Sequence, residues 1–321
     1  MTEASKSNLR GVFFALMAFG LFATHDVVVK YLGGQYSPFQ LIFFSVLLSF
    51  PLVMLMLMRD STRATLIPVH PWWTALRTVA AMITGSTAFY AFSTLPLAQT
   101  YAILFAAPLL ITIFSIPILG EKVGKHRLAA VFVGLIGVLV VIRPGAAPLG
   151  LGHLAALTAA VCGALASIIV RKIGRDERNA VLLLYPMMAN FVVMACLMPI
   201  FYRPMPVEDL GLVGVIAVLA FTGGLCVIAA YKAGDAAVVA PMQYSQILWA
   251  AVYGAFFFAE MPDSWTIAGA SIIIVSGLYI VLRESLSGIS LTTPVLRTRS
   301  RAETGTSPRV SAMQKMGEPR D

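Results

Sequence analysis

The residues able to do chemistry are few, and most of them lie inside long apolar stretches. The clearest group is His25, Asp26 and Lys30. Asp26 and Lys30 stand four residues apart, which puts them on one helical face. Ionisable groups are costly inside an apolar segment, so this set points to a coupling or gating role. The same spacing suits a structural salt bridge, with Lys30 reaching toward the membrane interface. His25 adds a ring that titrates near neutrality, or else a packed, hydrogen-bonded side chain.

A second group runs Pro241-Met242-Gln243-Tyr244-Ser245-Gln246 and continues through Trp249 and Tyr253. Gln243 and Gln246 are three apart, and the two rings extend that side by further steps of three and four. Amides orient polar ligands and rings stack on planar ones, so the face reads as a substrate-binding lining. Interhelical hydrogen bonds with an aromatic belt are the structural alternative. Gln99, Thr100 and Tyr101, followed by Phe105 and Pro108, form a matching segment. Pro108 frees a backbone carbonyl that either faces a cavity or only marks a kink. Tyr90, with Thr84, Ser86 and Thr87, and the pair Thr222 and Tyr231 give weaker signals of the same kind.

Other chemistries lack their motifs. The chain has no GxxxxGK phosphate loop, HExxH pair or GxSxG elbow, so no catalytic residue, metal or cofactor is expected. Cys162, Cys196 and Cys226 are isolated in apolar stretches and read as small buried hydrophobes. Glu121 and Glu260 close their helices on opposite membrane faces and cannot form an acid/base pair.

The elements that must position these residues follow from composition. Of 321 residues, 59% are apolar and 12% charged, against about 25% charged for a soluble chain. The apolar residues come in blocks of about 20, the length that spans a bilayer as helix. The blocks predict ten helices, near 9–32, 38–58, 72–94, 97–119, 127–143, 151–173, 179–202, 209–232, 235–258 and 265–283. Pro38, Pro71, Pro96, Pro144 and Pro262 fall at or near the breaks, where a missing N–H does least harm. The first apolar run continues to Leu32 without a cleavage site, so it reads as a retained helix rather than a signal peptide. Small residues recur every fourth position in helix 6, at Ala156, Ala160 and Ala164 and at Ala159, Gly163 and Ser167, which predicts close packing.

The connections repeat. Helices 3 and 4 meet at Leu95-Pro96, and helices 8 and 9 at Ala233-Gly234. Helix 4 ends in Gly120-Glu121 and helix 9 in Ala259-Glu260; helix 5 closes on Arg143 and helix 10 on Arg283. The expected fold is therefore an all-α integral membrane protein of two five-helix units. The division is 1–8 (N-terminus), 9–145 (first repeat), 146–283 (second repeat) and 284–321 (a Ser-, Thr-, Arg- and Pro-rich tail expected to be disordered). Five passes are odd in number, so the second unit enters from the opposite face, the inverted plan of many secondary transporters.

Net charge is +8, but the positive charge lies in loops and tail rather than in aromatic-interleaved basic tracts, which argues against nucleic-acid binding. With the N-terminus inside, 20 of the 23 basic residues fall on the inner side, and without the tail the split is 13 to 3. That asymmetry predicts both termini in the cytoplasm and residence in the cell inner membrane.

Ten helices in two units, Gly120-Glu121 and Ala259-Glu260, and Arg143-Pro144-Gly145 resemble the drug/metabolite transporter superfamily, in its EamA-domain branch. The resemblance covers roughly residues 9–283 and implies a central cavity lined by helices 1, 3, 4, 6, 8 and 9. The stretch His25-Asp26, Lys30-Tyr31-Leu32 and Phe39-Gln40 looks like the riboflavin and S-adenosylmethionine carriers, with a departure at Ser45, where many relatives have Arg. The expected function is a secondary transporter of a small polar metabolite, working by alternating access, with riboflavin as the first substrate reading. S-adenosylmethionine, whose charge Asp26 could offset, an amino acid or a chelating metabolite are the alternatives, in uptake or export. A membrane-embedded enzyme or a channel are the readings from other classes. The partners expected are a small-molecule substrate and the lipid bilayer, with a homodimer left open.

Overall fold

The computed structural model describes residues 3–58, 66–121, 123–145, 149–174, 176–234 and 236–286. Among these the elements are helices: α1 (Glu3–Gly33), α2 (Pro38–Met58), α3 (Pro71–Thr94), α4 (Leu97–Leu104), α5 (Ala106–Leu119) and α6 (Lys125–Ile142) make the first half. The second half holds α7 (Leu151–Ile173), α8 (Asn179–Phe201), α9 (Val207–Ala233), α10 (Ala236–Val239), a 3-10 turn (Ala240–Tyr244), α11 (Ser245–Phe258) and α12 (Ser264–Leu286). The expected tail lies outside the described residues from 287 onward.

Among the described residues eight segments are long and apolar enough to cross a bilayer, against the ten expected. The two that fall short have different reasons. Polar Thr74, Arg77, Thr78, Thr84, Ser86 and Thr87 dilute the apolarity of α3. Helix 9 is divided by its 3-10 turn into α10 and α11, each shorter than a span. Helix 4 is broken in the corresponding place, at Phe105 between α4 and α5. Pro108 explains that break, because it offers no N–H to the Leu104 carbonyl four residues back and its ring crowds that oxygen.

The halves pack by exchange. The first helix of each half lies along a helix of the other: α1 along α9, and α7 along α3. In the same way α5 packs on α7 and α11 on α1, while α2 with α8 and α6 with α12 pair across the halves. Close approach depends on small residues. A Cβ on Gly11 would lie 2.8 Å from Gly234 at the end of α9, and one on Gly152 would lie 2.5 Å from Thr94 at the end of α3. Where α6 crosses α12, a Cβ on Gly269 would lie 2.5 Å from the Gly137 carbonyl oxygen. The predicted stripe on α7 behaves as expected: Ala156, Ala159, Ala160, Gly163, Ala164 and Ser167 are all buried.

The start of α7 and the end of α1 both lie beside the end of α3, where a Cβ on Gly33 would meet Ser93. The two halves therefore run in opposite senses. We call the end where α1 finishes the far end, and the end where it begins the near end. Large apolar side chains such as Phe132, Ile136, Leu139 and Val192 are exposed on the outside, as a lipid-bathed surface permits. The cysteines depart from expectation, Cys162 and Cys226 being half-buried and Cys196 exposed. In lipid the outer face of a helix is as apolar as a core, so a thiol is tolerated there equally well.

Candidate functional site

The polar residues singled out in the sequence converge from three helices. Asp26 on α1, about 10 Å inside the far terminus of that helix by rise per residue, is fully buried. His25 Nδ1 lies 2.7 Å from Asp26 Oδ1, and the Tyr101 hydroxyl on α4 donates to Asp26 Oδ2. Gln246, in the first turn of α11, donates from Nε2 to the Tyr101 Oη at 3.3 Å. The result is a continuous chain, His25–Asp26–Tyr101–Gln246, whose members are at most 3% exposed. A buried carboxylate needs such donors, because an unpaired charge in this setting is strongly disfavoured.

Aromatic rings enclose the chain. Phe92 meets Tyr101 edge-on with centroids 5.3 Å apart, Phe105 stacks on Tyr101 at 6.0 Å, and Tyr244 lies 5.2 Å from Phe105. Phe89 meets His25 edge-on at 6.2 Å. The helix breaks thus have a use: Phe105 and Tyr244 occupy the two interruptions and touch each other. Tyr244 can sit there because α12 offers Gly277, where a Cβ would overlap the Tyr244 hydroxyl.

The remaining expected site residues are spread more widely. Trp249 and Tyr253 lie 5.7 Å apart and rest on α1, the Trp249 ring against Gly20 and the Tyr253 Oη 3.2 Å from Thr24 Oγ1. Gln243 is half-buried in the 3-10 turn, and Tyr90 is half-buried against the main apolar core. Gln99 sits at the far end, its Nε2 3.1 Å from His153 Nε2.

Lys30 is held by groups other than the Asp26 chain. Its Nζ donates to the Leu95 carbonyl at 2.5 Å, pairs with Glu260 Oε1 at 2.8 Å and lies 5.2 Å from the Phe258 ring centre. The other Glu260 oxygen accepts from the Leu97 N–H at 3.2 Å. At the near end the pattern recurs with the halves exchanged. Arg171 on α7 holds Glu121 through both guanidinium nitrogens, and Lys172 donates to the Ile118 carbonyl at 2.9 Å.

One backbone device places both glutamates. Gly120 and Ala259 adopt the left-handed conformation, with φ of 70° and 54°. The next residue then bonds back six positions, Glu121 N–H to the Ser115 carbonyl and Glu260 N–H to the Gly254 carbonyl. This is a left-handed helix stop, and it turns the following side chain across the helix end. Ala259 accepts a cost of about 1 kcal/mol that glycine avoids. The sequence pattern marked these glutamates as helix ends but left them without partners.

Other links tie the ends. Gln40 and the Arg203 backbone exchange two hydrogen bonds of 2.8 and 2.9 Å, and the Tyr36 hydroxyl donates to Asp209 at 2.6 Å. Arg143 at the end of α6 pairs with Asp263 before α12. Burial pushes the Asp263 carboxyl up, but hydrogen bonds from Thr266 and the Arg143 guanidinium outweigh it and hold the group below the usual carboxylate range. Near the other end Arg77 donates to the Leu182 carbonyl at 2.6 Å, the oxygen that Pro186 cannot satisfy.

A multi-pass membrane protein whose two similar halves enclose a buried polar chain, and whose ends are closed by separate ion pairs, has the form of a solute carrier. The EamA-like transporter family matches residues 9–143 and again 150–283, and the chain belongs to that family. It is 27% identical over 291 residues to an S-adenosylmethionine uptake transporter of Rickettsia prowazekii, covering 89% of this chain and 97% of the relative. It is 25% identical over 268 residues to a pseudopaline exporter of Pseudomonas aeruginosa, covering 83% and 94%. A solved crystal structure superposes with a TM-score of 0.57 at 19% identity, over 88% of this chain and 99% of that one, a likeness of fold alone.

Proposed function

We propose that the chain is a secondary carrier that moves S-adenosylmethionine, or a metabolite of closely similar charge and shape, across the inner membrane by alternating access. The buried Asp26–Tyr101–Gln246 chain carries this reading. It offers a carboxylate for a cationic centre, rings for a planar base and an amide for its polar edge, drawn from both halves of the fold. A sulfonium joined to a nucleoside matches that set better than an uncharged flavin does. The relatives named above carry S-adenosylmethionine and pseudopaline in their names, not riboflavin.

In this reading α3 and the broken α10–α11 also cross, which makes ten spans in two inverted repeats. Arg77 on α3 is buried against the Leu182 carbonyl, and Gln246 on α11 is buried on Tyr101, so neither helix exposes these groups to lipid. The basic residues favour the near end as the cytoplasmic one. The relatives include both an importer and an exporter, so direction is left to the assay.

Vesicles containing the purified chain are expected to take up labelled S-adenosylmethionine saturably and without ATP. Replacing Asp26 with Asn is expected to lower uptake at least about tenfold, close to 1.4 kcal/mol, with membrane insertion intact. Uptake that is absent, or linear in concentration, would overturn the proposal.

A further inference from the structure

A cavity of about 160 Å³ opens at the far end between Pro96, Gln99, Arg143, Gly254, Glu260 and Asp263. Complete small-molecule sites run to roughly 300–1,000 Å³, so this volume suits a head group rather than a whole solute. Its charged lining has both signs. Arg143 stands on one wall, paired with Asp263, and Glu260 stands on the other, paired with Lys30. These side chains are from 9% to 41% exposed. The Arg143–Asp263 pair is open enough to be worth only about 0–1 kcal/mol, and Lys30 keeps the Leu95 carbonyl when Glu260 turns to another partner, so an incoming ligand can exchange partners with both pairs.

We propose that this cavity is a docking subsite for an α-amino-acid head group, with Arg143 taking the carboxylate and Glu260 the ammonium. The proposal rests on the carrier reading and deepens it. A zwitterion compensates both exchanges at once: Arg143 trades Asp263 for the ligand carboxylate, and Glu260 trades Lys30 for the ligand ammonium. A ligand with one charge makes only one of the two exchanges. The guanidinium fork suits a carboxylate bidentately. Gly254 leaves that wall open, since its position presents no side chain to the space beside Glu260.

The exchange at Glu260 has a mechanical result. Lys30 ends α1 and Glu260 follows α11, so their pair ties the two helices that flank the buried Asp26 chain. An ammonium seated on Glu260 releases Lys30 and unties the far end. The Arg171–Glu121 pair at the near end is untouched, so one end opens while the other stays closed.

The test uses the full chain purified in detergent, with binding read by calorimetry. Three probes separate the charges: L-methionine, 3-(methylthio)propylamine without the carboxylate, and 4-(methylthio)butyrate without the ammonium. Methionine is expected to bind at least about tenfold more tightly than either. Arg143→Gln is expected to make methionine and the amine equal, and Glu260→Gln to make methionine and the acid equal. Two further variants give a result that structural damage cannot. Lys30→Met and Asp263→Asn each remove a competitor for the ligand, so each is expected to tighten methionine binding several-fold. Equal binding of the three probes, no binding of methionine up to about 10 mM, or weaker binding in both competitor variants would overturn the subsite. Vesicles that transport S-adenosylmethionine while methionine does not bind would sink the subsite alone, whereas absent transport sinks the carrier substrate.

Discussion

Removing the Tyr101 hydroxyl tests the buried chain most directly. That hydroxyl donates to the Asp26 carboxylate and accepts from Gln246, and all three side chains are at most 3% exposed. A hydrogen bond to a charged group contributes about 1.5–3 kcal/mol and a neutral one about 0.5–1.5 kcal/mol. The Gln246 contact is long at 3.3 Å and counts at the low end. Tyr101→Phe preserves the ring contacts with Phe92 and Phe105, so the expected loss is about 2–4 kcal/mol. For a chain of this size that corresponds to a fall in Tm on the order of 3–6 °C. The assay is thermal unfolding of the detergent-purified chain, run in parallel in an Asp26→Asn background. There the hydroxyl faces a neutral amide, and its loss should cost no more than about 1.5 kcal/mol. A cost below about 0.5 kcal/mol in the parent chain, or the same cost in both backgrounds, would refute the charge-assisted bond on which the proposed site depends.

Two more outcomes follow from the end contacts. Arg171→Met alone should destabilise by about 3–5 kcal/mol, because the Glu121 carboxylate is left buried without its partner, while Glu121→Leu with Arg171→Met should recover most of that loss; a double-mutant cycle in denaturant reads the difference. The pH dependence turns on Asp263, whose folded pKa is held below its ordinary value. Its contribution is complete above the usual carboxylate pKa and disappears as pH falls through the folded value, so Asp263→Asn should lower the neutral plateau of a Tm–pH curve and flatten its acid limb.

The Asp26 and Glu260 partnerships mark what lay within reach of sequence and what did not. Membrane character and the helix stretches were legible because hydropathy acts over about 20 adjacent residues. The ends at Gly120-Glu121 and Ala259-Glu260 were legible because an acidic residue interrupts the apolar stretch at the corresponding place in each half. His25, Asp26, Tyr101 and Gln246 were legible as candidates, since a polar group inside an apolar stretch is conspicuous whatever it touches. Their arrangement was not. Asp26 bonds Tyr101 75 residues away, Gln246 meets Tyr101 across 145, and Lys30 pairs with Glu260 rather than being held by its own helix alone. Helical spacing reports only which residues share a face, and here the closing contacts come from other helices. The broken helices show the same division. Pro108 and Pro241 are visible in the chain, but that the resulting interruptions bring Phe105 and Tyr244 together depends on how α4, α11 and α12 pack, down to the missing side chain at Gly277. The far-end cavity belongs wholly to the tertiary structure, because its two charged walls are built from the ends of α6 and α11, more than a hundred residues apart, and meet only when the two halves close on each other.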